Sequence, residues 1–273
     1  RAPIVLIANK ELSSIQYHRI EKYRVFKTEK DGSATPIPFQ IDEKDQFGDY
    51  ILKDGKNPNI KFSNNVFDYQ DELSIMGEDV GRVLKPSKWN FNKPNRIYEV
   101  IFTNGEKKGA VYIGIYFKLK KKNKKSNDIT LSSKKYVDFD LKSANITTSR
   151  YFYQFNRKNY LVVRNVDVLS KTQGRTDLLN SSTVYLKLDF KYFLTFSFNQ
   201  SDIESELDAY KTGPIRVITR VNFSIKILKI KFNLGMYTEV SFFSNAVLLP
   251  AIIDNPLNSG KSLNSGSLFY YGF

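Results

Sequence analysis

The sequence predicts an all-β protein: antiparallel sheets packed face to face as a β-sandwich, large or two-lobed, with at most one or two short helices. Three observations carry this expectation. Apolar and polar residues alternate with period 2 over long stretches, which sorts side chains to opposite faces of an extended chain. Aromatic and β-branched residues fill those stretches, as a half-buried pleated surface prefers. Turn-forming groups punctuate them: Asp31-Gly32, Asp54-Gly55, Asn104-Gly105 and Asn258-Ser259-Gly260.

Taken in order, Pro3 to Ala8 reads as the first strand, followed by Tyr23 to Thr28. Arg96 to Thr103 and Ala110 to Leu119 flank Asn104-Gly105, an arrangement that predicts a hairpin. Tyr151 to Phe155, Tyr160 to Asn165 and Tyr237 to Phe243 are further strands. Val184 to Phe198 places Val184, Leu186, Leu188, Phe190, Tyr192, Leu194, Phe196 and Phe198 at even positions, against Lys187, Asp189, Lys191 and Thr195 at odd ones. That is one long amphipathic strand, or two with a bend near Lys191. Ile215 to Asn233 behaves similarly, with Lys229 interrupting any single-face register. The one helix expected is Ser201 to Tyr210, where Ser201 and Glu204 have capping-box spacing and Thr212-Gly213-Pro214 supplies a stop. Arg82 to Asn95 holds two prolines and no periodicity, and reads as a linker between a lobe at 1–81 and a larger sandwich at 96–273.

At 273 residues and 41% hydrophobic content the chain can bury a substantial core. It contains no cysteine, which excludes disulfides, thiolate nucleophiles and thiolate zinc sites. His18 is the single histidine, so a histidine-based triad or a multi-histidine metal site is excluded by arithmetic. No apolar run approaches the 18 or so residues of a membrane-crossing helix. The chain opens at Arg1 rather than Met, a start that a cleaved precursor or a trimmed chain would each give.

Charge is segregated. Residues 36–81 carry ten carboxylates against four lysines, a net −6 within a chain of +14, so the remainder sums to +20. Calcium takes six to eight oxygen ligands, and closely spaced carboxylates supply them. Asp42, Asp45 and Asp49, or Asp68, Asp71 and Glu72, are the candidate metal ligands, although their spacing does not match an EF-hand loop. The other reading is that these acids cap turns and solvate strand ends.

Pro38-Phe-Gln-Ile-Asp42, Asp71-Glu-Leu73 and Glu78-Asp-Val-Gly81 resemble an N-terminal module of exported bacterial β-sandwich proteins of largely unassigned function. Gly213-Pro-Ile-Arg-Val-Ile218 and Phe242-Phe-Ser-Asn245 resemble later strands of similar large sandwiches. The resemblance implies a sandwich fold and a periplasmic or extracellular location, and it carries over no catalytic residue.

Lys118 to Lys125 holds six lysines in eight positions. Without interleaved aromatics for base stacking it reads as a solvated hairpin tip that also discourages edge pairing, and nucleic acid is not an expected partner. Glycine-rich phosphate loops are absent, and the sequons at Asn145, Asn180 and Asn222 are chance matches in an asparagine-rich chain. Phe269, Tyr271 and Phe273 alternate at the C-terminus as the last strand of an outer-membrane barrel would, but the regular strand spacing of a barrel is missing.

The sequence therefore points to a non-catalytic structural or interaction protein of the bacterial envelope or surface, part of a larger assembly, a homo-oligomer or a filament. A second expectation is a carbohydrate-binding or carbohydrate-processing sandwich acting on acidic glycans. Histidine-free catalysis would draw on residues such as Tyr210, Arg216 and Arg220 near the Gly213-Pro214 turn.

Overall fold

The structure is a computed structural model, and it describes residues 2–117, 132–170, 172, 174–179, 182–190, 194–227, 230–253 and 268–272. Its strands in the first half of the chain are β1 (Pro3–Ile7), β2 (His18–Arg19), β3 (Tyr23–Thr28), β4 (Ala34–Pro36), β5 (Gln40–Asp42), β6 (Asp54–Gly55), β7 (Val66–Phe67), β8 (Glu72–Met76), β9 (Arg96–Asn104) and β10 (Lys107–Ile115). The remainder are β11 (Val137–Asp140), β12 (Asn145–Thr148), β13 (Tyr151–Asn156), β14 (Asn159–Ser170), β15 (Gly174–Leu179), β16 (Thr183–Phe190), β17 (Leu194–Phe198), β18 (Ile203–Thr212), β19 (Arg216–Ile227), β20 (Ile230–Phe243), β21 (Val247–Leu248), β22 (Ala251–Ile253) and β23 (Leu268–Gly272). Helix among the described residues is confined to three-residue 3-10 turns at Ser13–Ile15, Ile20–Lys22 and Ile60–Phe62. None is long and apolar enough to cross a membrane. The fold is all-β, as the alternation predicts.

The chain forms two compact units. The first comprises residues 1–51, 60–136 and 213–215. In it the sheet β1-β8-β5 and the sheet β4-β3-β10-β9 are both antiparallel. Leu6, Ile41, Leu73 and Ile75 from one sheet and Tyr23, Val25, Val111, Ile113 and Ile115 from the other share one buried core, the face-to-face packing of a sandwich. The hairpin at 104–107 forms, with Asn104 paired to Lys107 and Gly105 at φ +59 as the first turn residue.

Residues 82–95 do more than connect. Trp89 and Phe91 close on Phe26 with ring centroids 5.4 and 5.2 Å away, covering the second face of β3 and β10. β10 is consequently buried on both faces from Ala110 to Ile115. A Cβ on Gly114 would lie 2.5 Å from Pro94 Cγ, so only glycine allows this close cover. Strands β9 and β10, which the sequence assigned to the larger domain, complete the sheet of β3 and belong to the first unit.

The second unit comprises residues 52–59, 137–212 and 216–273. It holds an antiparallel meander β11-β12-β13-β14-β15, a sheet ordered β21-β20-β19-β18-β6 with β22 also on β20, and a sheet β17-β16-β23. Leu161, Val184, Leu186, Phe198, Ile203, Val221, Phe223, Ile225 and Met236 bring strands from all three into one core. Phe242 of β20 meets Tyr153 and Phe155 of β13 at 5.0 and 5.5 Å, and Tyr151 donates to the Phe243 carbonyl at 2.6 Å. Val184, Leu186 and Phe198 are buried as the even-position alternation predicts, whereas Phe196 on the same pattern is exposed.

One element assignment is corrected. Ser201 to Tyr210 is not a helix: residues 203–212 form β18, paired along β19. Ile203 and Ser205 are buried with period 2, and the hairpin pairing with β19 outweighs the capping-box spacing. Ile215 to Asn233, read as one strand or two, takes the second form: Ile227 pairs with Ile230 and the chain doubles back. The long stretch at 184–198 resolves into β16 and β17, paired as neighbours. The lysine run at 118–125 lies outside the described residues. Of the C-terminal aromatics, 269 and 271 lie in β23, which pairs with β16, and 273 lies outside them.

Candidate functional site

The acidic segment builds an interlocked set of turns in the first unit. Asp45 Oδ1 accepts from the amides of Phe47 and Asp49 at 2.9 and 3.1 Å, while Gly48 N–H returns to the Asp45 carbonyl. Asp71 is buried and accepts from the amides of Lys44 and Asp68 through its two oxygens, at 2.8 and 3.0 Å. Glu72 accepts from Lys44 Nζ at 2.6 Å and from the Tyr50 hydroxyl at 2.8 Å. Asp42 is buried against the Gln40 amide, and Asp68 accepts from Asn64 Nδ2. Glu43, not among the predicted ligands, ties in the next turn through Ser63 Oγ and the Asn65 amide.

These partners are the reason the segment is acidic: a carboxylate can accept from several turn amides at once. The six predicted ligands Asp42, Asp45, Asp49, Asp68, Asp71 and Glu72 are drawn into neighbouring turns and strand ends. Among the described residues no three of the His, Asp and Glu side chains converge as a bound cation would need. Burial dominates at Asp71 and raises its pKa to about 7, against the two amide bonds that favour its charged form.

Sequence reasoning missed what these turns display. Phe47, Tyr17, Tyr69 and Phe62 are 82, 73, 61 and 58% exposed, far beyond what large aromatic rings ordinarily show to water. Each stands on a pinned turn. Phe47 crowns the Asp45–Asp49 loop, Phe62 precedes the Ser63–Glu43 bond, and Tyr69 sits between Asp68 and Asp71. The turns are joined: Asn9 N–H donates to the Tyr69 carbonyl, Tyr17 N–H to the Phe67 carbonyl and Ile20 N–H to the Asn65 carbonyl. Tyr17 and Tyr69 hold φ of +65 and +41, a left-handed conformation that side chains bearing a Cβ adopt at a cost of about 1–2 kcal/mol. Strain of this kind persists where the surroundings over-determine it, and it concentrates at functional positions.

The catalytic candidates are dispersed. Arg216 is buried over the Phe243 ring, and Arg220 donates through Nε and Nη2 to Glu239 at 3.0 and 2.6 Å. His18 pairs with Phe67 in the two-stranded β2-β7 ribbon, and burial, then Arg96 and Lys22, lower its pKa. Tyr210 lines a cleft in the second unit.

Comparison with protein-family models, curated proteins and solved structures returns no match.

Proposed function

We propose that this protein is a non-catalytic structural component of a bacterial envelope or surface assembly, whose acidic, aromatic-tipped turns dock onto another copy of the same chain. The exposure of four large rings on turns pinned by carboxylate–amide bonds supports the reading most directly. Rigid aromatic anchors lose little conformational entropy on binding and dominate interface energetics. With roughly 150–250 Å² per ring, the four supply on the order of 500 Å² of the ~800 Å² that a standard interface buries per partner. The occupant follows from charge: this segment is −6 and the rest of the chain +20, so a second copy offers the complementary surface. A contact between different surfaces of identical chains is heterologous, and unless it closes into a ring it propagates as a filament. The envelope setting rests on the resemblance of the Pro38–Asp42, Asp71–Leu73 and Glu78–Gly81 segments to exported proteins.

Sedimentation velocity on the full chain between 5 and 200 μM tests this. The expected result is concentration-dependent association at 20 mM salt that weakens at 500 mM and is lost in Phe47→Ala/Phe62→Ala with the melting temperature unchanged. A monomer at every concentration and salt overturns the proposal.

A further inference from the structure

A cleft of about 450 Å³ lies in the second unit, lined by Gly55, Lys56, Leu141, Tyr160, Glu206, Leu207 and Tyr210. Its volume falls within the roughly 300–1,000 Å³ of small-ligand sites. Two backbone irregularities shape it. The register of β18 against β19 slips between Leu207 and Ala209, a β-bulge at Asp208. Without the bulge Tyr210 would share a face with Glu206; with it, Tyr210 comes round to the face of Leu207, which lines the cleft together with Tyr160.

The second irregularity is β6. Gly55 has φ +115, and a Cβ there would lie 2.6 Å from the Asp208 carbonyl oxygen. The amides of Lys56 and Asn57 both donate to that carbonyl at 2.7 and 3.0 Å, and Asn57 Nδ2 donates to Asp208 Oδ1 at 2.5 Å. This clamp fixes Lys56 beside Glu206, with Nζ donating to the two carboxylate oxygens at 2.9 and 3.1 Å. The rings are fixed as well: Tyr210 stands edge-on to Phe139 at 5.2 Å and Tyr160 meets Phe155 at 5.3 Å. Neither the Tyr160 nor the Tyr210 hydroxyl has a protein hydrogen-bond partner among the described residues.

We infer that this cleft binds a neutral saccharide. Tyrosine rings offer flat apolar surface to the C–H face of a pyranose and a hydroxyl to its rim. An ammonium and a carboxylate side by side donate to and accept from adjacent sugar hydroxyls, since each hydroxyl does both. Because Lys56 and Glu206 satisfy one another, the pair is net neutral and offers no excess charge to favour a uronate or a cationic sugar over a neutral one. The site is thus distinct from any salt-sensitive attraction of acidic glycans to the +14 chain, and it does not rest on the assembly reading.

The test is isothermal titration calorimetry of the full chain with the tetrasaccharides of cellulose, chitin, xylan and starch, and with tetragalacturonate, at 50 and 500 mM NaCl. At least one neutral tetrasaccharide is expected to bind with a Kd of about 1 mM or tighter, changing less than about twofold with salt. Tyr210→Phe and Glu206→Gln, which preserve shape, are each expected to weaken binding about five- to tenfold. No binding by any neutral probe overturns the inference. So does binding of tetragalacturonate alone, or neutral-sugar affinity untouched by both variants.

Discussion

Tyr69 concentrates the tension between fold and use. Its ring is exposed and its φ is +41, while its carbonyl is held by Asn9 and the flanking Asp68 and Asp71 close the turn around it. Glycine adopts that backbone freely, so a residue serving only the fold would be glycine. Tyr69→Gly is therefore expected to leave stability unchanged or raise it by up to about 1 kcal/mol, while weakening self-association. Urea melts alongside sedimentation read the two effects separately, and a melting temperature several degrees lower would assign the ring to the fold instead. Asp71 makes a pH-dependent prediction. Its carboxyl titrates near its ordinary value of about 4 when unfolded and at about 7 when buried. Its contribution is fully present below pH 4 and is lost as pH rises through 7, because the folded state then buries a charge the unfolded chain leaves in water. Asp71→Asn removes an acceptor for one of two amides at a cost of about 1–3 kcal/mol, and this cost is expected to shrink between pH 5 and pH 8. A cost that grows over that interval would mean that the two amide bonds outweigh burial and keep the carboxylate charged.

At the scale of elements, legibility followed the range of the interactions. Tyr23–Thr28 was readable end to end, and Arg96–Asn104 nearly so, because alternation records a local fact about which face is buried. The Ser201–Glu204 spacing misled because a capping box is also local, whereas β18 is held as the middle strand between its hairpin partner β19 and the distant β6. Trp89, the single tryptophan, was the available sign that 82–95 is more than a linker: a ring that size left in water is costly. Spacing alone does not distinguish carboxylates that gather round an ion from carboxylates spread over successive turns, since both need the same residues at similar spacing. The cleft was not legible at all. Its shape depends on the bulge at Asp208 and on β6, only two residues long. Gly55→Ala tests that account: the strained φ and the approach to Asp208 are expected to cost about 2 kcal/mol, read as a lower urea midpoint. A neutral effect would show that β6 is not clamped against Asp208.

The whole molecule is braided rather than strung. The chain passes between its two units at 51/52, 59/60, 136/137, 212/213 and 215/216. Short crossings complete each unit from distant sequence: β6 adds to β18 in the second, and in the first Ile215 N–H donates to Gln40 Oε1 at 3.2 Å. A boundary at 82–95 would cut β3 from β10 and strip Val111, Ile113 and Ile115 from the core they share with Tyr23, Val25 and Leu73. A fragment spanning 1–81 is therefore expected to remain unfolded, although it contains every acidic turn. Losing the apolar contacts of β9 and β10 removes more stability than the few kcal/mol by which domains of this size persist. An amide NMR spectrum with the narrow dispersion of a disordered chain is the expected outcome. A well-dispersed spectrum from 1–81 would instead show that β1, β5 and β8 suffice to hold the lobe together, and would restore the simpler two-lobe division that the sequence suggests.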